Sequence, residues 1–120
     1  MNVQEFYEKI GGSYEDALKR LPGESFVMRI LPKFLMDDSY DRMVKGIEAG
    51  DLKAAFEGAH TLKGVTQNLA LVRLGESSAE ISDAFKFADS LDSVDYKPML
   101  ERVTADYNMT VEALKELAGE

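Results

Sequence analysis

Apolar residues recur at three- and four-residue steps almost from one end of this chain to the other, and no stretch sustains an alternation of period two. A side chain returns to the same face of an α-helix after about 3.6 residues and to the same face of a strand after 2. The pattern therefore argues against a sheet and predicts packed helices. Val3, Phe6, Tyr7 and Ile10 mark a short first helix, stopped by Gly11 and Gly12. Ser13, with Asp16 three residues on, resembles the cap of a second short helix that carries Tyr14, Ala17, Leu18 and Leu21 and ends at Pro22-Gly23. From Glu24 to about Ala49 the rhythm runs through Phe26, Val27, Ile30, Leu31, Phe34, Leu35, Met43, Val44 and Ile47, and Pro32 is expected to kink or divide it.

Gly50 stands where that helix stops and Asp51 where the next is capped, predicting a helix from Leu52 to about Leu69. Leu71, Leu74, Ser78, Ile81, Phe85 and Ala88 then share one face of a further helix, whose small Gly75 and Ser82 admit a close neighbour. After the polar turn "DSLDSVD", Tyr96, Leu100, Val103, Tyr107, Thr110, Leu114 and Leu117 have the alternating four-and-three spacing of a bundle seam. Pro98 falls in the first turn of this last helix, where its missing amide proton is not needed. Four long helices with short connections predict an all-α fold, an antiparallel up-down-up-down four-helix bundle over 24–118. The two short N-terminal helices, within 1–22, are expected across one end. A chain of 120 residues buries one core, so 1–120 is read as a single domain.

Charge and composition narrow the function. The net charge of −8 opposes binding to nucleic acid and to anionic membrane surfaces. No apolar run approaches the roughly 20 residues that span a bilayer, and the start "MNVQEFYEKIGG" lacks a secretion leader, so a cytoplasmic location is expected. Cysteine is absent, which removes disulfides, thiolate metal sites and cysteine nucleophiles. With one histidine and scattered acids, neither zinc nor calcium spacing is present. The neighbouring acids Asp37-Asp38 and Glu15-Asp16 point in different helical directions and read as surface charge, and Met28, Met36, Met43, Met99 and Met109 as bundle filling.

The one histidine, His60, lies in "AFEGAHTLKGVTQNLALVRL". Leu52, Ala55, Phe56, Ala59, Leu62, Thr66 and Leu69 form the apolar stripe of this helix, and His60 falls about 100° from its centre. Lys53, Phe56, Lys63, Gly64 and Gln67 share the flank of His60, which predicts a solvent-reachable imidazole with two ammonium groups nearby. A glycine in mid-helix costs about 1 kcal/mol relative to alanine. At Gly64, one turn past His60, it clears room beside the ring for a bulky partner or a phosphoryl group. Neutral imidazole is a nucleophile, Lys63 can stabilise a tetrahedral anion on its nitrogen, and Gln67 can donate a further hydrogen bond or orient the ring.

"AHTLKG", preceded by "EAGD" and followed by "NLAL", closely resembles the histidine phosphotransfer (HPt) domain family, whose signature is a histidine, two residues, then lysine and glycine. The resemblance covers most of the chain, with the segment from about Glu24 to Phe87 matching the family's layout. It departs at Ala70, where many members carry glycine, and at Pro32. The resemblance implies that His60 accepts a phosphoryl group from the aspartyl phosphate of a receiver domain and passes it to another receiver, with Lys63, Gly64 and Gln67 in support. It implies response-regulator receivers and hybrid sensor histidine kinases as partners, and no cofactor of the chain's own, the receiver bringing the Mg²⁺. Docking is expected through Phe56, Lys53, Lys63 and Gly64, with Phe34 or Leu35 as further candidates. A monomeric phosphoryl carrier without catalytic machinery is thus expected. The alternatives are a scaffold that binds receivers without phosphorylation, and a helical enzyme with His60 as general base, for which no second catalytic group is convincingly placed.

Overall fold

The computed structural model describes residues 1–119, and among them every regular element is helical. The α-helices are α1 (Val3–Ile10), α2 (Tyr14–Arg20), α3 (Glu24–Ile30), α4 (Ser39–Glu48), α5 (Leu52–Asn68), α6 (Val72–Lys86) and α7 (Lys97–Ala118). Two 3-10 turns, Leu31–Met36 and Leu91–Ser93, join α3 to α4 and α6 to α7.

Local chemistry sets most of the boundaries. Asn2 caps α1 through a reciprocal box with Glu5, and Gly11 ends the helix in the left-handed region at φ 67°. The Ser13 hydroxyl accepts the Asp16 amide at the start of α2, and Asp51 accepts the Ala54 amide at the start of α5. Pro98 sits in the first turn of α7. The long helix expected between Glu24 and Ala49 is divided into three pieces, with Pro32 in the 3-10 turn. In a 3-10 turn residues three apart eclipse. Leu31 and Phe34 accordingly both face inward, while Met36 is turned out and 86% exposed and Met28 of α3 is exposed as well, so the expectation that these two fill the bundle is corrected. Asp37 departs from a plain surface charge too: its carboxylate accepts the backbone amide of Ser39 at 2.9 Å and the Ser39 hydroxyl, holding the start of α4.

Consecutive helices pack side by side. Gly46 lies against the backbone of Ala55 and Gly58 against that of Met43, so α4 and α5 run antiparallel at close approach. Gly75 faces Thr66 across α5 and α6, and Arg102 pairs with Glu80 across α6 and α7. Tyr40 of α4 stacks on Tyr107 of α7, with ring centroids 4.0 Å apart, and shares a 2.9 Å hydrogen bond with Thr104. Between them Met43, Ala55, Ala59, Leu62, Leu74, Ile81, Val103 and Leu114 are fully or almost fully buried. Phe6, Tyr7 and Ile10 of α1 join the same core. The Tyr7 hydroxyl donates to the Leu69 carbonyl at 2.8 Å, and Ser13 donates its amide to the Ala70 carbonyl at 3.0 Å, so the N-terminal pair is fastened to the corner between α5 and α6. Among the described residues no helix is long and apolar enough to cross a membrane.

Candidate functional site

The site is built on α5, because its register decides which side chains go in and which come out. Ala55, Gly58, Ala59, Leu62 and Thr66 are buried, and the Thr66 hydroxyl is spent on the Leu62 and Lys63 carbonyls of its own helix. His60 lies outside this stripe and is exposed. Its ring stacks on Phe56, one turn earlier, with centroids 5.4 Å apart and planes inclined by 24°. Phe56 is half-buried and anchored to the core, so one face of the imidazole rests on a fixed surface while the other side is open.

Gly64, the next residue along this face, is exposed, and a methyl group placed on it would meet nothing within 4 Å. The contrast within one helix is informative. Gly58 is required by the fold, since a side chain there would run into the Met43 backbone at 2.4 Å. Among the described residues no packing asks for the absence of a side chain at Gly64.

Lys63 is partly buried, and its Nζ lies 3.9 Å from Oδ1 of Asp83 on α6. Lys53 and Gln67 are both exposed, Gln67 at the edge of the α5–α6 contact, where its Cγ approaches Gly75. The six residues expected on the flank thus lie along one helix as the 3.6-residue period requires, and the Lys63 ammonium is drawn toward the neighbouring helix. Of the further docking candidates, Phe34 is only 2% exposed and stacks edge-on against Tyr107, so it is a core residue and the expectation of an exposed docking side chain is corrected. Leu35 is partly buried against the same core.

Sequence periodicity also missed two features. Asp83 carries no motif and lies on another helix, so nothing in the pattern around His60 could have found it. A groove of about 410 Å³ runs beside Val65, with Leu21, Ile30 and Phe34 in its wall and Arg20 and Lys33 among its polar lining. It needs α2, α3 and α5 to meet.

The corner beyond the site accounts for Ala70. It has φ 56°, the left-handed conformation that glycine adopts most readily, and it ends α5 with the Leu71 amide donating to Thr66 and the Ala70 amide to Gln67. The helix end keeps the hydrogen bonds of a glycine-type stop, with an alanine in the place of the glycine.

An exposed histidine stacked on an aromatic ring, with a lysine and an open glycine following at three and four residues, stands on a helix inside an all-helical fold. A family model described as Hpt domain matches residues 35–118. The chain belongs to the Hpt domain family. Members of this family take part in phosphotransfer in two-component signalling and interact there with receiver domains and kinases. The match contains α4 to α7 in full, and therefore includes the whole of the His60 helix of this Hpt domain. No curated protein and no solved structure matches the chain.

Proposed function

We propose that His60 is the phosphoacceptor of an Hpt phosphocarrier, taking its phosphoryl group from an aspartyl phosphate on a receiver domain and passing it to a second receiver. The observation that carries this reading is the open space at Gly64 beside an exposed imidazole whose other support is Phe56. In the transfer the unprotonated imidazole nitrogen attacks phosphorus, the N–P bond forms, and the P–O bond to the aspartate breaks, leaving the electron pair on the carboxylate. The receiver contributes the acidic pocket and Mg²⁺; this chain contributes the nucleophile and its setting. Lys63 supplies positive charge to the bound phosphoryl oxygens, and Gln67 lies one turn beyond Lys63 as a supporting donor.

In this reading α4 to α7 form an up-down-up-down four-helix bundle within a single domain, with α1 and α2 accessory to it. Receiver domains of response regulators and of hybrid sensor kinases dock over Phe56, Lys53, Lys63 and Gly64. The carrier acts in the cytoplasm as a monomer, since a module that meets its receivers in turn has no need of a second copy. Light scattering should give the mass of one chain.

The decisive experiment exposes the protein and its His60→Gln variant to an Mg²⁺-loaded, phosphorylated receiver. Acid-labile, base-stable label on the unmodified protein alone is the expected result. A variant that keeps receiver binding while losing label separates a carrier from a scaffold. Failure of the unmodified protein to take label from any receiver overturns the carrier reading.

A further inference from the structure

Lys63 is the cation nearest His60 along α5, yet its ammonium is directed across to α6. Nζ stands 3.9 Å from Oδ1 of Asp83, close enough for attraction and too far for a full hydrogen bond. The Lys63 side chain is 30% exposed and that of Asp83 62%, so water screens the pair and holds it loosely. Packing explains the encounter. Ile81, Ser82 and Phe85 are buried in the α6 interface, and Asp83, between them in sequence, is left on the outer side of the helix within reach of the Lys63 chain.

A phosphoryl group on His60 changes the competition for this ammonium. It adds about two negative charges and three acceptor oxygens one turn away on the same helix. Lysine is a compact charge on a flexible four-carbon stem, able to turn from one acceptor to the other without any movement of the backbone. A single carboxylate at 3.9 Å is a weaker partner than a phosphoryl group at hydrogen-bonding distance.

We propose that Asp83 is a positioning residue: it holds Lys63 while His60 is unphosphorylated, releases it to the phosphohistidine, and thereby sets how firmly the phosphoryl group is retained. This rests on the carrier reading of His60. The stabilisation that Lys63 gives to the phosphorylated state is then the difference between two contacts, because the contact with Asp83 is lost as the other forms. Removing the Asp83 charge should raise the steady ratio of phosphorylated to unphosphorylated protein by about two- to fivefold, the range expected of an exposed ion pair.

The test uses phosphoramidate as donor, which needs no receiver. The His60 nitrogen displaces ammonia from phosphorus, so the reagent's P–N bond breaks as the new N–P bond forms, and the ammonia takes up a proton. Loading is compared at fixed pH in the unmodified protein, Asp83→Asn, Lys63→Ala and the double variant, with His60→Gln as blank. The Asp83 carboxyl carbon is followed by NMR. The expected result is a two- to fivefold gain from Asp83→Asn only where Lys63 is present, together with an Asp83 carboxyl signal that moves on loading toward its position in Lys63→Ala. An equal gain in the Lys63→Ala background would mean that Asp83 acts on the phosphoryl group simply as a like charge, and overturns the proposal. So does an Asp83 signal unmoved by loading. In both of those cases His60 is still labelled and the carrier reading stands; no label on the unmodified protein from phosphoramidate or receivers removes both.

Discussion

At Gly64, stability and function pull in opposite directions. The added methyl of Gly64→Ala meets nothing within 4 Å, so the substitution gains helix propensity without a clash and should raise stability by about 0.5–1 kcal/mol in urea denaturation. Gly64→Gln places a long side chain beside the imidazole and should slow phosphoryl loading by about tenfold, or roughly 1.4 kcal/mol of barrier, with the helix intact by circular dichroism. A second residue, Tyr7, links stability to pH. Burial pushes its phenol up from the ordinary 10.0, and its proton is held against the Leu69 carbonyl. Above pH 10 the unfolded chain loses this proton while the folded one keeps it, so the unfolded state binds fewer protons and stability falls as pH rises. The full contribution is present below pH 10 and declines above it, by up to about 1.4 kcal/mol per pH unit for this group. In Tyr7→Phe the alkaline slope of the unfolding free energy should be shallower, although the variant is less stable at neutral pH through the lost hydrogen bond.

At the scale of the element, the contact between α4 and α5 depends on two glycines facing two backbones. A methyl at Gly46 would stand 2.4 Å from the Ala55 nitrogen, and one at Gly58 2.4 Å from that of Met43. Backbone cannot move aside as a flexible side chain does, so the helices must separate. Gly58→Ala should therefore cost about 1–3 kcal/mol despite its better helix propensity, the opposite sign to Gly64→Ala on the same helix. Thermal unfolding of the two variants side by side checks both signs. The 3-10 turn Leu31–Met36 belongs to the same scale: its tighter winding directs Leu31 and Phe34 inward and leaves Met36 in water.

For the whole molecule, one arginine ties three segments together. Arg73, at the start of α6, donates its amide to the Gly11 carbonyl at the end of α1, and its guanidinium Nε lies 3.1 Å from Oδ1 of Asp106 on α7. The Asp106 side chain is only 6% exposed with Arg73 beside it, so removing the arginine takes the ion-pair partner from a largely buried carboxylate. Arg73→Ala should cost about 1–3 kcal/mol, and Asp106→Asn in that background should recover part of it. Hydrogen exchange should quicken in α1, which Lys9 also links to Glu116 near the end of α7 at 3.0 Å. Loading of His60, built on the outer flank of α5, should be unchanged.

Much of the site was legible in the sequence because it lies on one helix. Backbone hydrogen bonds between near neighbours fix the angular position of each residue on α5, so the relation of His60 to Phe56, Lys63, Gly64 and Gln67, and the caps at Ser13, Gly50 and Asp51, follow from spacing and residue chemistry alone. The aromatic ring under the imidazole follows from the same rule. What spacing does not contain is the rotation and axial register of one helix against another, which the packing of many side chains decides together. Only that packing buried Phe34, pressed Gly58 onto Met43 and gathered α2, α3 and α5 around a groove. It also brought Asp83 of α6 to Lys63, and so gave the lysine of the motif an acceptor that no local pattern in the chain encodes.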